Sequence, residues 1–427
     1  MKLTVVIVSY NVKYYLDQCL EALTLSIRGH RLEAEIYVVD NHSKDGSIGY
    51  LRQRYSDVHF VESPHNLGFA RANNIAIRKS KADYVLLLNP DTVVGYDVLP
   101  EVLAFMDSHL DAGSLGVHMI DSAGKSAKES RRGLPSPMVA FYKMTGLCSC
   151  FPKSKRFGHY YMSDMPWHLP GKVEVVSGAF CLLRKAALDK VGYLDEDFFM
   201  YGEDIDLSCR VLKGGYHNYY YPKVILHYKG ESTQKSSFRY VHVFYEAMLI
   251  FFRKHYSGMT WLLSVPIKVA IYAKAALALS RMLMDKVQRN LGFVTYDGKL
   301  PVYLLVGNLK MLDACCKILQ ERGLQADSVV IDAVVKETSG VKEACVGDKC
   351  GKNEIIRNGI REIWKNKINA ALEKYGSSQM VYIVFSPALF SYDALFEYIS
   401  ESPSIYRKLA FYHVESNRIV TDDEVFG

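Results

Sequence analysis

Apolar and polar positions follow two alternating periods through the first hundred residues. Stretches at 3–11 (LTVVIVSYN), 35–41 (EIYVVDN), 58–63 (VHFVES) and 84–88 (YVLLL) are apolar runs that turn polar at their ends, as expected of strands covered on both faces. Between them, 14–27, 48–55 and 66–81 carry apolar residues at helical spacing. Parallel neighbours need crossover connections, so this alternation predicts a doubly wound, mostly parallel α/β sheet. Pro90 stops the fourth strand, because proline cannot donate into a ladder.

The pattern then changes. A helix is expected at 100–110, with Pro100 in its first turn. Residues 113–172 lose clear periodicity and become rich in Gly, Ser, Pro, Lys and aromatic residues. They read as a loop-like insertion, either a flap over an anionic, partly apolar partner or a solvated surface loop. Residues 173–192 suggest a strand, a small-residue turn at Ser177, Gly178 and Ala179, a short strand and a helix. Gly202 precedes a helix whose first turn holds Glu203, Asp204 and Asp206, and a strand at 216–227 ends on His227. From residue 300 the α/β alternation restarts, with strands at 301–308, 328–335 and 380–387 and helices at 309–322, 354–375 and from 393. Three regions are expected: an α/β domain over 1–240, a basic helical segment over 241–295, and a small Rossmann-like accessory domain over 296–427.

Composition narrows the class. A chain of 427 residues with 49% hydrophobic and 23% charged residues is globular and long enough for two or three domains. Met1 leads almost directly into a strand, so no secretory leader is expected. The 9 Cys lie scattered apart from the pairs 148/150, 315/316 and 345/350, which suits free thiols in a reducing compartment better than a disulfide framework. Cys345 and Cys350 lack the spacing and the nearby His of a zinc site. The net charge of +6 is modest, and no nucleic-acid partner is expected.

The ends of parallel strands converge on one crevice, so Ser9, Tyr10 and Asn11, Asp40 and Asn41, and Asn89 and Asp91 belong together. Asp40 suits a base imide or a ribose hydroxyl, or else closes an Asx turn. Asp91 is a candidate metal or phosphate-site residue, or again a turn residue. Asn66, Gly68 and Arg71 open a helix where unpaired N–H groups and a cation favour phosphate. Neither G-x-G-x-x-G after the first strand nor G-x-x-x-x-G-K-[ST] occurs, which argues against a dinucleotide cofactor and a P-loop. Three carboxylates within 203–206 exceed what the helix dipole calls for, and one of them suits a general base.

Taken in order, SYN (9–11), VVDNHSKDGS (38–47), NLGFARANN (66–74), LLLNPDTVV (86–94), VSGAFCLLRK (176–185) and YGEDIDLSCR (201–210) resemble the inverting, family 2 nucleotide-sugar glycosyltransferases of the GT-A fold. Within these, the chain is similar to the rhamnosyltransferase-like group of bacterial surface-polysaccharide assembly, over about residues 1–250. The resemblance implies that Asp40 contacts the nucleoside base and that Asp91, with the late His227, holds Mg²⁺ or Mn²⁺. Asn89 stands where the D-x-D pattern has its first Asp, leaving fewer charges for the metal. The resemblance further implies Asp204 as the catalytic base with Glu203 beside it, Ser177, Gly178 and Ala179 on the acceptor side, and Ser232, Thr233 and Lys235 in a loop over the diphosphate. With Ser9, Tyr10, Asn11, Asn66, Gly68, Arg71 and Asn89, these complete the implied donor site.

The implied activity is inverting transfer of a sugar from a nucleotide diphosphate, dTDP-rhamnose first or a UDP-sugar second, to a glycan or polyprenyl-linked hydroxyl. A non-catalytic nucleotide-sugar-binding or scaffold protein is the competing expectation, encouraged by Asn89. The segment from Arg253 to Arg289 holds seven Lys or Arg against one acid. It reads either as an in-plane helix on an anionic membrane surface, peripheral to the cytoplasmic face of the bacterial inner membrane, or as an amphipathic helix packed on the first domain. The accessory domain is expected to dock a protein partner or a second copy of the chain.

Overall fold

A computed structural model describes residues 1–136, 139, 150–151, 154, 156, 158–228, 238–256, 280, 284, 287, 300–331, 349–376 and 378–427. The apolar runs become β1 (Leu3–Ser9), β2 (Ala34–Asp40), β3 (Val58–Glu62) and β4 (Tyr84–Leu88), joined by α1 (Lys13–Gly29), α2 (Ser47–Arg54) and α3 (Phe69–Ile77). They pair in parallel in the order β3-β2-β1-β4, and every residue of β1 and β4 is buried. Helix α3 is shorter than its apolar pattern. Asn66 Oδ1 accepts the Gly68 N–H at 2.9 Å, and Gly68, at φ 79°, holds a left-handed conformation that keeps it outside the helix.

Then come β5 (Thr92–Val94), α4 (Val98–Ser108), β6 (Ala112–Ile120), β7 (Gly171–Val173), β8 (Phe180–Arg184), α5 (Lys185–Val191), α6 (Glu203–Lys213), β9 (His217–His227) and α7 (Phe238–His255). The sheet continues from β4 to β8, β6, β9 and β5, with β7 on β9. Here β6 and β9 pair in parallel, and the other contacts are antiparallel. Helix α4 begins at Val98, ahead of the expected start, with Pro100 in its first turn.

One expectation fails here. The aperiodic stretch does not start at 113, because β6 occupies Ala112–Ile120 and is buried at every position except the half-buried His118. Its small residues answer to packing. A Cβ on Gly113 would lie 2.6 Å from Val211 Cγ1, and one on Gly116 would lie 2.9 Å from Val176 Cγ1.

The C-terminal region contains β10 (Val302–Gly307), α8 (Leu309–Glu321), β11 (Gln325–Val330), α9 (Lys349–Leu372), β12 (Val381–Phe385), α10 (Tyr392–Glu401), β13 (Arg407–His413), β14 (Arg418–Val420) and β15 (Val425–Phe426). Its sheet runs β11-β10-β12-β13-β14-β15, parallel through β13 and antiparallel after it. Strand β11 falls a few residues before the expected 328–335, whose last four residues lie outside the described residues.

The two sheets share a core. Tyr15, Val93, Leu226 and Tyr228 from the first bury in one cluster with Leu304, Phe396 and Phe411 from the second. Polar contacts reinforce it: Tyr15 Oη donates to Thr421 O at 3.0 Å, Tyr96 N–H to Asp393 Oδ2 at 2.7 Å, and Ser122 Oγ to Asp422 Oδ2 at 2.6 Å. Among the described residues no helix is long and apolar enough to cross a membrane. Of the helical segment expected at 241–295, residues 241–255 belong to α7, and most of the rest lies outside the described residues.

Candidate active site

Strand ends build the site. Ser9 O at the end of β1 accepts the Asn41 N–H at 2.8 Å. Past the strands, Asn11 Oδ1 accepts the Lys44 N–H at 2.7 Å, and Ser43 Oγ accepts the Asn11 N–H at 2.9 Å. Asn11 adopts φ 54°, a left-handed conformation that Asn tolerates better than most residues. The two loops are thus laced together beside Asp40.

Asp40 is 4% exposed. Its Oδ2 accepts the Ser43 N–H at 2.9 Å, so it does close a turn. Its Oδ1 is buried with no hydrogen-bond partner among the described residues, and so is the Ser9 Oγ. A buried acceptor left open in this way costs free energy unless a ligand donates to it. Oδ2 thus closes the turn, and Oδ1 is left as an acceptor that a ligand could fill. Tyr10 is partly exposed at the same edge.

The 66–71 segment is arranged differently from the expected phosphate cradle. Asn41 Oδ1 takes the Leu67 N–H at 3.0 Å, Asn66 Oδ1 takes that of Gly68, and Phe199 O takes that of Phe69 at 2.8 Å. The Arg71 guanidinium is exposed and sits 3.6 Å from Glu196. The amides of Leu67, Gly68 and Phe69 thus bind protein. A Cβ on Gly68 would meet Phe199 O at 2.4 Å, so glycine permits this close approach.

At the end of β4, Asn89 N–H donates to Ala179 O at 3.0 Å. Asp91 (1% exposed) and His227 (8% exposed) meet with Oδ1 and Nε2 3.4 Å apart, and Asn89 Nδ2 lies 3.4 Å from the same Nε2. Register explains the meeting, since Thr92 pairs with His227 across β5 and β9. The His227 Nδ1 is buried without a partner among the described residues. A hard carboxylate oxygen beside an imidazole suits part of a Mg²⁺ or Mn²⁺ shell. No group of three or more His, Cys, Asp or Glu able to hold a metal occurs among the described residues. Asp91 and His227 would supply two ligands to such an ion.

The three acids of α6 separate by environment. Asp206 is structural: it accepts from Arg210 Nε at 2.8 Å and meets His255 Nε2 at 2.7 Å, which ties α6 to α7. Glu203 is 6% exposed, and burial, with Asp204 next in order, pushes its carboxyl up to about 8. The shift favours its neutral form. Asp204 faces the turn at Ser177, Gly178 and Ala179, and its Oδ2 accepts the Gly178 N–H at 3.3 Å. Its Oδ1 accepts the Ile205 N–H at 2.8 Å. Asp204 also pairs with Arg132, which the sequence reading did not single out. The 177–179 turn holds Asn89 by one end and Asp204 by the other, so the carboxylate of α6 and the end of β4 form one site. Ser232, Thr233 and Lys235 lie outside the described residues.

A parallel block of strands with a buried acid at the end of β2, an acid and an imidazole at β4 and β9, and a carboxylate across a small-residue turn has the form of a GT-A sugar-nucleotide transferase domain. Residues 4–192 match the model described as Glycosyl transferase family 2. The chain is 28% identical over 301 residues to an N-acetylglucosaminyl-diphospho-decaprenol L-rhamnosyltransferase of Mycobacterium tuberculosis (strain CDC 1551 / Oshkosh), covering 67% of this chain and 95% of that protein. It is 26% identical over 258 residues to the Rhamnosyltransferase WbbL of Escherichia coli (strain K12), covering 56% of this chain and 91% of WbbL. Among solved structures, S. aureus TarS 1-349 in complex with UDP-GlcNAc aligns with a TM-score of 0.42 at 19% identity, over 59% of this chain and 65% of the TarS chain.

Proposed function

We propose that the protein is an inverting glycosyltransferase of surface-polysaccharide synthesis, working at the cytoplasmic face of the membrane. It moves a sugar from a nucleoside diphosphate, dTDP-rhamnose first and a UDP-sugar second, to a hydroxyl of a polyprenyl-linked or glycan acceptor. The observation that carries this reading is the 177–179 turn, which joins the proposed base to the strand end that receives the donor. The lipid-linked acceptor follows the named activity of the mycobacterial relative.

In this reading Asp40 Oδ1 and the 9–11 strand end bind the nucleoside. Asp91 and His227 would hold Mg²⁺ or Mn²⁺, which supplies charge neutralisation for a departing diphosphate. Asp204 takes the proton of the acceptor hydroxyl as its oxygen bonds to the sugar C1 and the C1–O bond to the diphosphate breaks, the electron pair leaving with the nucleoside diphosphate. One displacement inverts C1. Burial raises the Glu203 carboxyl and so disfavours a second negative charge beside the base.

A panel of nucleotide sugars tested for thermal stabilisation with Mn²⁺ identifies the donor. Stabilisation by dTDP-rhamnose above all others is the expected result. Asp204→Asn should retain that stabilisation and lose transfer by at least about a hundredfold; full transfer in this variant overturns the assignment of the base.

A further inference from the structure

The stretch at 121–136 looks like surface in the sequence, yet it delivers a guanidinium into the site. Arg132 O accepts the Val175 N–H at 2.9 Å and the Glu174 N–H at 3.2 Å, so its backbone is pinned to the segment that leads from β7 into the 177–179 turn. Its side chain is 12% exposed and pairs with Asp204, itself 16% exposed. A second guanidinium contact reaches Val176 O at 3.5 Å. Burial works against the Arg132 charge, but the Asp204 carboxylate beside it outweighs burial and raises its pKa. Neighbouring contacts fix the approach: Leu134 N–H donates to Glu174 Oε2 at 2.6 Å, and Gly133 N–H donates to Tyr160 O at 3.0 Å.

The division of labour between the two carboxylate oxygens is the informative feature. Oδ2 takes both Arg132 and the Gly178 N–H, whereas among the described residues Oδ1 takes only the adjacent Ile205 N–H. A carboxylate oxygen has two lone pairs, so Oδ1 keeps acceptor capacity and Oδ2 is filled. We infer that Arg132 is a positioning residue: it holds Asp204 by Oδ2, so that Oδ1 is the atom that takes the proton from the acceptor hydroxyl. This rests on Asp204 being the base. A misplacement of about 1 Å at such a group costs on the order of a hundredfold in rate. Both contacts come from Nη2 of a guanidinium whose plane sets their directions; the freely rotating ammonium of lysine sets no such orientation.

Arg132→Lys, Arg132→Ala and Asp204→Asn in the full chain, assayed for transfer with dTDP-rhamnose and with UDP-GlcNAc, test the inference. Arg132→Ala should lower kcat about 10- to 100-fold with the donor KM within about twofold, and added guanidinium should recover part of kcat where equimolar ammonium does not. Arg132→Lys should fall in between. If Arg132→Ala does not fold, the lysine variant carries the test through its kcat and donor KM. Wild-type kcat in the lysine variant, or a loss in the alanine variant that ammonium restores as well as guanidinium does, overturns the positioning role while leaving the base intact when Asp204→Asn is inactive. Transfer by Asp204→Asn at the wild-type rate overturns both.

Discussion

Glu203 and Asp204 are adjacent in sequence and opposite in electrostatic circumstance. Burial lifts the Glu203 carboxyl from the ordinary 4.5 to about 8, and a raised carboxyl pKa stabilises the fold only while the group stays protonated. That contribution is complete below pH 4.5, where folded and unfolded chains are both protonated. It is lost progressively as pH rises to about 8, because only the unfolded chain ionises over that window. Melting temperature measured from pH 5 to pH 8.5 should therefore decline less steeply in Glu203→Gln than in the wild type; equal slopes contradict the assignment. The residue scale also shows what pattern reading reaches and what it misses. Asp40, Asp91 and Asp204 stand out in the sequence because each follows an apolar run or a glycine at an element end. Arg132 does not, since RRG in a polar stretch looks like a solvated charge pair and only the fold turns it inward.

Element boundaries followed the chain's chemistry closely where strands are covered on both faces. They failed at β6, where Gly113, Ser114 and Gly116 interrupt the apolar signal because Val211 and Val176 press against the backbone. A strand that must be thin loses its periodicity, so sequence reading takes it for a loop. The same closeness makes Gly68 sensitive. Gly68→Ala combines a positive φ with a Cβ placed 2.4 Å from Phe199 O. It should cost on the order of 1–3 kcal/mol and push the 195–202 loop off α3. Urea denaturation reads the first effect, and enhanced proteolysis within 195–202 reads the second; an unchanged midpoint counts against the contact.

At the scale of the molecule, the C-terminal sheet packs on the transferase domain rather than beside it. A Cβ on Gly95 would sit 2.2 Å from Asp393 Oδ1, and the Asp393 carboxyl, nearly buried and accepting the Tyr96 N–H, is pushed up in pKa by that burial. Gly95→Ala should destabilise by on the order of 1–3 kcal/mol in a single cooperative transition. A chain ending before residue 300 would expose Tyr15, Val93, Leu226 and Tyr228 to water and should be recovered mainly as aggregate; a soluble, fully active fragment contradicts this. Flotation with anionic liposomes tests membrane association, and equal binding by a chain lacking 255–290 removes the basic segment from the account.

The dipeptide His227–Tyr228 joins the two halves. His227 meets Asp91 in the site, while Tyr228 turns into the shared core, stacked edge-on against Tyr15 at 5.2 Å and donating to Gln18 Oε1 at 2.9 Å. Tyr15 with Thr421 O, Glu21 with His413, and Gly95 with Asp393 hold the same two regions together at three further points. Grafting the C-terminal domain of a relative onto this transferase domain would succeed only if α1 and the 93–97 turn travelled with it.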